Sequence, residues 1–291
     1  MKNAIKKISV TSILFILTAC GGSSSDSSNQ NLENAVVATK AFTHLTTASN
    51  TTANITVLDT VLYPELANPS VKIIVSQRID ELDLMGTLSP QNDHPIAVHF
   101  SPSLLQWVIV NIDGTSFDDG VRFNVLIPGN QGLSFEHQVS SANIPGASLV
   151  KEGLSGNSNA NIFVSPVYEI GSPFVLANTS VRYNVTNEWY IQKEDGSAPV
   201  VGEKYNVYVP SSSEISVKVT PVADDDPIII FSSRNSNSIG HHFFSLDSTN
   251  KLSLVNENFA ASNVPSMGFG IRNADGADVT TDETFNVLVI Q

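Results

Sequence analysis

The chain has 291 residues, 41% of them hydrophobic, with one cysteine and a formal net charge of −13 at pH 7. A single cysteine excludes disulfides within the chain. The acid excess disfavours nucleic acid and anionic lipid as partners, because both carry phosphate charge.

The first element in chain order is an export signal, residues 1–19. Lys2, Lys6 and Lys7 precede an apolar run from Ile8 to Leu17. About ten apolar residues cannot span a bilayer as a helix, which needs about 20, but they suit a secretory signal. The run ends in Leu17-Thr18-Ala19-Cys20. This resembles the lipobox of bacterial lipoproteins. The resemblance implies cleavage before Cys20, a diacylglycerol on its thiol, and a membrane partner reached through that lipid. In such lipoproteins an Asp after the cysteine favours the inner membrane. Here Gly21 follows, so the resemblance implies the outer membrane. Residues 20–37 are dominated by Gly, Ser and Asn, which cannot bury a core, and are expected to form a flexible tether. Removing residues 1–19 takes away three lysines and no acid, leaving 12 basic against 28 acidic residues and a formal charge of −16.

Three segments then share one signature. Trp107 to Gly114 is followed by Phe123-Asn124-Val125, Trp189 to Gly196 by Tyr205-Asn206-Val207, and Phe269 to Gly276 by Phe285-Asn286-Val287. In each the Asp-Gly pair precedes the aromatic-Asn-Val by ten residues, and the copies lie 82 and 80 residues apart. A spacing kept three times marks an internal repeat. The units are placed at 38–128, 133–210 and 214–291. Ile73 to Ser76, Ile162 to Ser165 and Ile229 to Ser232 look like equivalent strands. Units one and two open with Phe42-Thr-His44 and Phe135-Glu-His137; unit three opens on Ile215 to Val219 without them.

Each unit reads as β. Apolar residues alternate with others through the signature, Asp-Gly supplies a turn, and Phe123, Val125 and Ile127 form one face of the next strand. The fold class expected is all-β: three tandem small sandwich or barrel-like units of about five or six short strands. Short linkers imply units that touch. Unit one, with Phe42-Thr-His44, Asn92-Asp-His94-Pro95-Ile96-Ala-Val98 and the Trp107–Gly114 signature, resembles a small family of bacterial β-domains of unknown function. The resemblance implies the architecture and no activity.

The sequence is sparing with chemistry. Aligned as an EF-type loop, Asp-Gly puts Ile109, Ile191 or Ile271 at the first ligand position, and isoleucine cannot bind a hard cation. Looser acid clusters stand at Asp118-Asp119 and Asp224-Asp225-Asp226. His44, His94, His99, His137, His241 and His242 lack zinc-ligand spacing, and His44 and His137 read as structural. No hydrolase motif, metalloprotease motif or phosphate loop occurs. Trp107, Trp189 and Phe269 share a repeat position and read as core, while Tyr190 and Tyr208 are expected on the opposite, exposed face. Neither metal nor cofactor is called for, and no catalytic residue is named. The expectation is a lipid-anchored, non-enzymatic binding or surface-interaction protein of the cell envelope, meeting an envelope protein or a glycan. A purely structural envelope component is the alternative, and an enzyme with a site between units is a third.

Overall fold

The computed structural model describes residues 36–291 except 81–86, 141, 145–146, 151–153, 174, 176, 222–227, 233–239, 252–258, 265–267 and 274–278; for 142–144, 147–150, 228–232, 262–264 and 268–269 it describes the backbone only. The signal, Cys20 and residues 20–35 lie outside the described residues, as does Asp224-Asp225-Asp226.

The first unit contains β1 (Lys40–Leu45), β2 (Thr51–Thr52), β3 (Ile55–Val57), β4 (Ile74–Asp80), β5 (Ile96–Ser101), β6 (Gln106–Asn111) and β7 (Arg122–Ile127). The second contains β8 (Leu133–Gln138), β9 (Ala142–Ile144), β10 (Ala147–Val150), β11 (Phe163–Val167), β12 (Thr179–Tyr183), β13 (Trp189–Lys193) and β14 (Lys204–Val209). The third contains β15 (Ile215–Val219), β16 (Ile228–Ser232), β17 (His241–Asp247), β18 (Phe259–Val264), β19 (Gly268–Asn273) and β20 (Thr284–Ile290). The all-β class is as expected. The very short β2, β3 and β9 bring units one and two above the expected strand count.

The sheets do not coincide with the units. Their strand orders are β1-β7-β4-β18-β19-β16, β2-β3-β6-β5-β11-β14-β8 and β15-β20-β17-β12-β13-β10-β9. Within a unit the strands pair antiparallel. Between units the sheets continue through three parallel pairings: Val98 opposite Val167, Ser180 opposite Leu246, and Ala261 opposite Arg78. Each sheet is thus the inner layer of one unit and the outer layer of another. The last such pairing joins unit three to unit one and closes a pinwheel.

Period-two alternation explains how one strand serves two cores. On β7, Phe123, Val125 and Ile127 point into the core of unit one, with Phe42, Trp107 and Ile109. Tyr205 and Val207 on β14, and Phe285 and Val287 on β20, do the same in units two and three. The residues between them face a pseudo-threefold axis. There Ile74 and Leu126, Phe163 and Tyr208, and Phe243 and Leu288 form a central cluster, two side chains from each unit, all buried. Fully burying a large apolar side chain is worth about 1.5–3 kcal/mol, so this cluster holds the units together without any disulfide.

Beside that cluster lies a polar ring. Asn124 donates Nδ2 to the carbonyl of His242 at 2.8 Å, Asn206 to that of Ile73 at 3.2 Å, and Asn286 to that of Ile162 at 3.4 Å. Each asparagine of the signature therefore ties its own unit to the preceding one in the pinwheel. Ser76, Ser165 and Ser245 stand opposite these asparagines and bond across the same seams. This corrects the strand equivalence expected for unit three. The counterpart of Ile73 to Ser76 is His242 to Ser245, and Ile228–Ser232 is instead an outer-sheet edge strand beside β19.

The seam between units three and one carries a titratable group where the others carry isoleucine. His242 takes the place of Ile73 and Ile162. Burial, with Arg78 and His241 adding to it, pushes its imidazole down to about 4. Burial likewise pushes His44 down to about 4, partly opposed by Asp59. The unfolded chain takes up these protons near the ordinary value of 6.5 and the folded chain does not. Their stabilisation is complete above that value and is lost as pH falls towards 4, by roughly 3 kcal/mol per histidine at the limit. His242→Ile is expected to narrow the gap between urea midpoints measured at pH 7 and pH 4.5.

Candidate binding face

The strands give the body two distinct ends. Val37 enters beside Asn130, its N–H bonding Asn130 Oδ1 at 2.8 Å. This is the end at which β7, β14 and β20 finish and the links between units run. The Tyr208 hydroxyl emerges there from the central cluster and donates to Glu214 at 2.6 Å, and Thr39 does the same. Burial and Glu214 raise the Tyr208 phenol above its ordinary value. Tyr208 and Tyr190, expected to be exposed, are 0% and 3% exposed. Alternation put them on the opposite face correctly, but that face is also buried.

The loop that follows β3 runs into a helical turn, Pro64–Ala67, whose Glu65 accepts from Lys40 at 2.6 Å, and it meets the turn that follows β5. In unit one, Val61 (91% exposed) and Leu62 (71%) stand beside Leu104 (50%) and Leu105 (66%). Thr60 ties the two loops together by donating to Gln106 at 3.1 Å. Asp59 shapes the first loop by accepting the N–H groups of Val61 and Leu62 at 2.8 and 3.1 Å. Leu105 has a φ of +55°, in the left-handed region that a Cβ disfavours. It lies two residues before Trp107. The residue two before Trp189 is Asn187, also left-handed at +62°, and asparagine tolerates that backbone. The same turn therefore carries a relaxed polar residue in unit two and a strained, exposed apolar one in unit one. Leu105→Asn is expected to raise stability by about 1 kcal/mol, read as a melting point about 2–4 °C higher.

The residues singled out in the sequence do not converge. His44 Nε2 meets Thr56 Oγ1 at 2.7 Å inside unit one, as a structural role requires. His94 pairs with Asp113 at 2.7 Å, His99 with the carbonyl of Tyr168 at 2.8 Å, and His241 with Thr43 at 3.3 Å. Asp118 and Asp119 are exposed. Among the described residues no three His, Cys, Asp or Glu side chains are grouped to hold a metal ion. Trp107 and Trp189 are core residues, 2% and 0% exposed, and their indole N–H groups bond the carbonyls of Asn68 and Asn157. Gly114 and Gly196 of the Asp-Gly turns have φ of +84° and +76°, as tight turns demand.

Sequence reading missed the buried charges. Lys193 holds Glu203 at 2.6 Å, and Lys251 holds Glu283 at 3.0 Å with Glu194 at 3.9 Å. Lys193 occupies the repeat position of Asn111 and Asn273, and Glu203 that of Val121, so comparison of the copies was the available signal. Burial raises the Glu194 carboxyl above its ordinary value, against a bond from Ser180 and the charge of Lys251. Glu194 borders a hollow of about 110 Å³ where the three seams meet, also lined by Ser76, Gln77, Thr179 and Ser245. That is room for about three or four waters.

No curated protein and no solved structure matches the chain. Residues 97–209 match a family model described as a domain of unknown function, DUF7452. The match runs from β5 to the end of β14, so it contains both tryptophan-bearing copies of the signature and crosses the seam between units one and two. Over that span the chain carries a DUF7452 domain.

Proposed function

We propose that the chain is a lipid-anchored protein of the bacterial cell envelope that binds a partner and catalyses no reaction. Cys20 carries the lipid, the outer membrane is the attachment site, and units one and three extend the matched domain into a three-copy array. What supports the binding reading is the pair of loops after β3 and β5, which expose Val61, Leu62, Leu104 and Leu105. Exposed aliphatic side chains grouped at a loop tip are a liability in water unless a partner covers them. The lipobox residues Leu17 to Cys20 support the anchor, and the repeated signature supports the array.

Labelling with an alkyne fatty-acid analogue should mark the intact chain and leave Cys20→Ser unlabelled and released from membranes. A Cys20→Ser chain that still labels and sediments with membranes overturns the anchor. Capture of envelope proteins or glycans beyond that of a charge-matched control is the expected result for binding. Equal capture overturns it.

A further inference from the structure

We propose that the seam between units three and one opens in acid and that a second copy of the chain docks there, unit three of one copy seating on unit one of the other. This goes beyond the binding reading and does not depend on it. The path of the chain carries the first part. Five residues link unit one to unit two, and five link unit two to unit three. No peptide link joins unit three back to unit one. The pinwheel is closed there by contacts alone: the parallel pairing of Ala261, Ser262 and Asn263 with Arg78, Ile79 and Asp80, the bond from Asn124 to the His242 carbonyl, and the central cluster. An opened unit one offers β4 as a bare strand edge, and an opened unit three offers β18. These surfaces fit each other within one chain, so they fit equally between two copies. Exchange then gives a closed two-chain ring or a longer head-to-tail array.

The residues of this seam carry the second part. At each seam one side chain bridges to the first strand of the next unit: Lys72 to Glu136 at 3.5 Å, Asn161 to Ser216 at 2.9 Å, and His241 to Thr43 at 3.3 Å. The residue after it is Ile73, Ile162 or His242, so only the seam without a link has two imidazoles at these places. The charges around them are mostly positive. From β4 and β7, Arg78 and Arg122 share Asp80 at 2.7 and 3.5 Å. On β1, Lys40 is held by Glu65 and His44 turns onto Thr56; on β17, Asp247 is held by Lys218. Strands β18 and β20 bring no charged residue. Two imidazolium ions would join two guanidinium groups around one carboxylate, and like charges repel. Burial, with Arg78 adding to it, keeps His241 low and His242 at about 4 in the closed seam. Opening returns both towards 6.5. From pH 7 to pH 5 the His242 proton alone favours the open form by roughly 20-fold.

The test uses the chain from residue 20 with Cys20→Ser, sedimented at pH 7 and at pH 5. The expected result is a monomer at pH 7 and concentration-dependent association at pH 5, reversed on return to pH 7. H241N/H242I gives this seam the Asn161-Ile162 pair of its neighbour and leaves every acidic residue in place. It should weaken association at pH 5 at least tenfold. I79C/S262C places two thiols across the seam, where paired strands lie about 4.8 Å apart, within disulfide reach. Oxidised, this variant should stay monomeric at pH 5; reduced, it should associate. Unchanged tryptophan fluorescence and circular dichroism at pH 7 show that the variants are folded. A chain that is monomeric at both pH values overturns the proposal. So does association at pH 5 that H241N/H242I or the closed disulfide leaves undiminished, which would be the general clumping of an acidic chain as its net charge falls.

Discussion

Phe163→Ala is expected to destabilise all three units together, by about 3–5 kcal/mol. The side chain is fully buried in the central cluster and meets residues from every unit. Its loss leaves a cavity among Ile74, Leu126, Tyr208, Phe243 and Leu288, whose positions are fixed by strands in three shared sheets. Tryptophan fluorescence reports units one and two through Trp107 and Trp189, and far-ultraviolet circular dichroism reports the whole body. In urea the two signals should move to lower midpoint by the same amount and remain superimposed. Separate transitions would show that the units unfold singly and that the shared sheets are not the cooperative element.

Lys193→Asn should cost a similar amount, about 3–5 kcal/mol, by a different route. Lys193 and Glu203 are 7% and 0% exposed at their side chains. Without the ammonium, the Glu203 carboxylate keeps, among the described residues, the Tyr205 hydroxyl at 3.2 Å. The double variant Lys193→Asn/Glu203→Val should recover most of the loss, because it reproduces Asn111 and Val121 of unit one and leaves no buried charge. Chemical denaturation of the wild type, both single variants and the double variant measures the coupling. A double variant as unstable as Lys193→Asn would mean that the site depends on the ion pair itself.

Much of the fold was legible because alternation is a local property. Phe123, Val125 and Ile127 announced their strand face, and Trp107 and Trp189 announced a core position by recurring. The axis was not legible. A polar residue between apolar ones, such as Asn124 or Asn206, reads as solvent-facing when one face alone is assumed to be buried. In this body the second face is covered by the neighbouring unit, which also hid Tyr208. Unit three misled for a simpler reason. The apolar run Ile228–Ser232 resembles Ile73 to Ser76 more than the true counterpart does, because His241 and His242 disguise the start of β17. The exposure of the turn after β5 could not be read from sequence, since Leu104 and Leu105 beside a strand look like core. Only Asn187, two residues before the second tryptophan, marked that turn as one with a special backbone.

The seam between β4 and β18 also sets an order of events. Arg78 pairs with Ala261 across most of the body's sequence, and such distant pairing is slow to form. A chain made amino end first leaves β4 as an open strand edge until β18 follows. During that interval the half-finished sheet can pair with another chain. Assembly of this body is therefore a race between completion of its final unit and misassembly of its first.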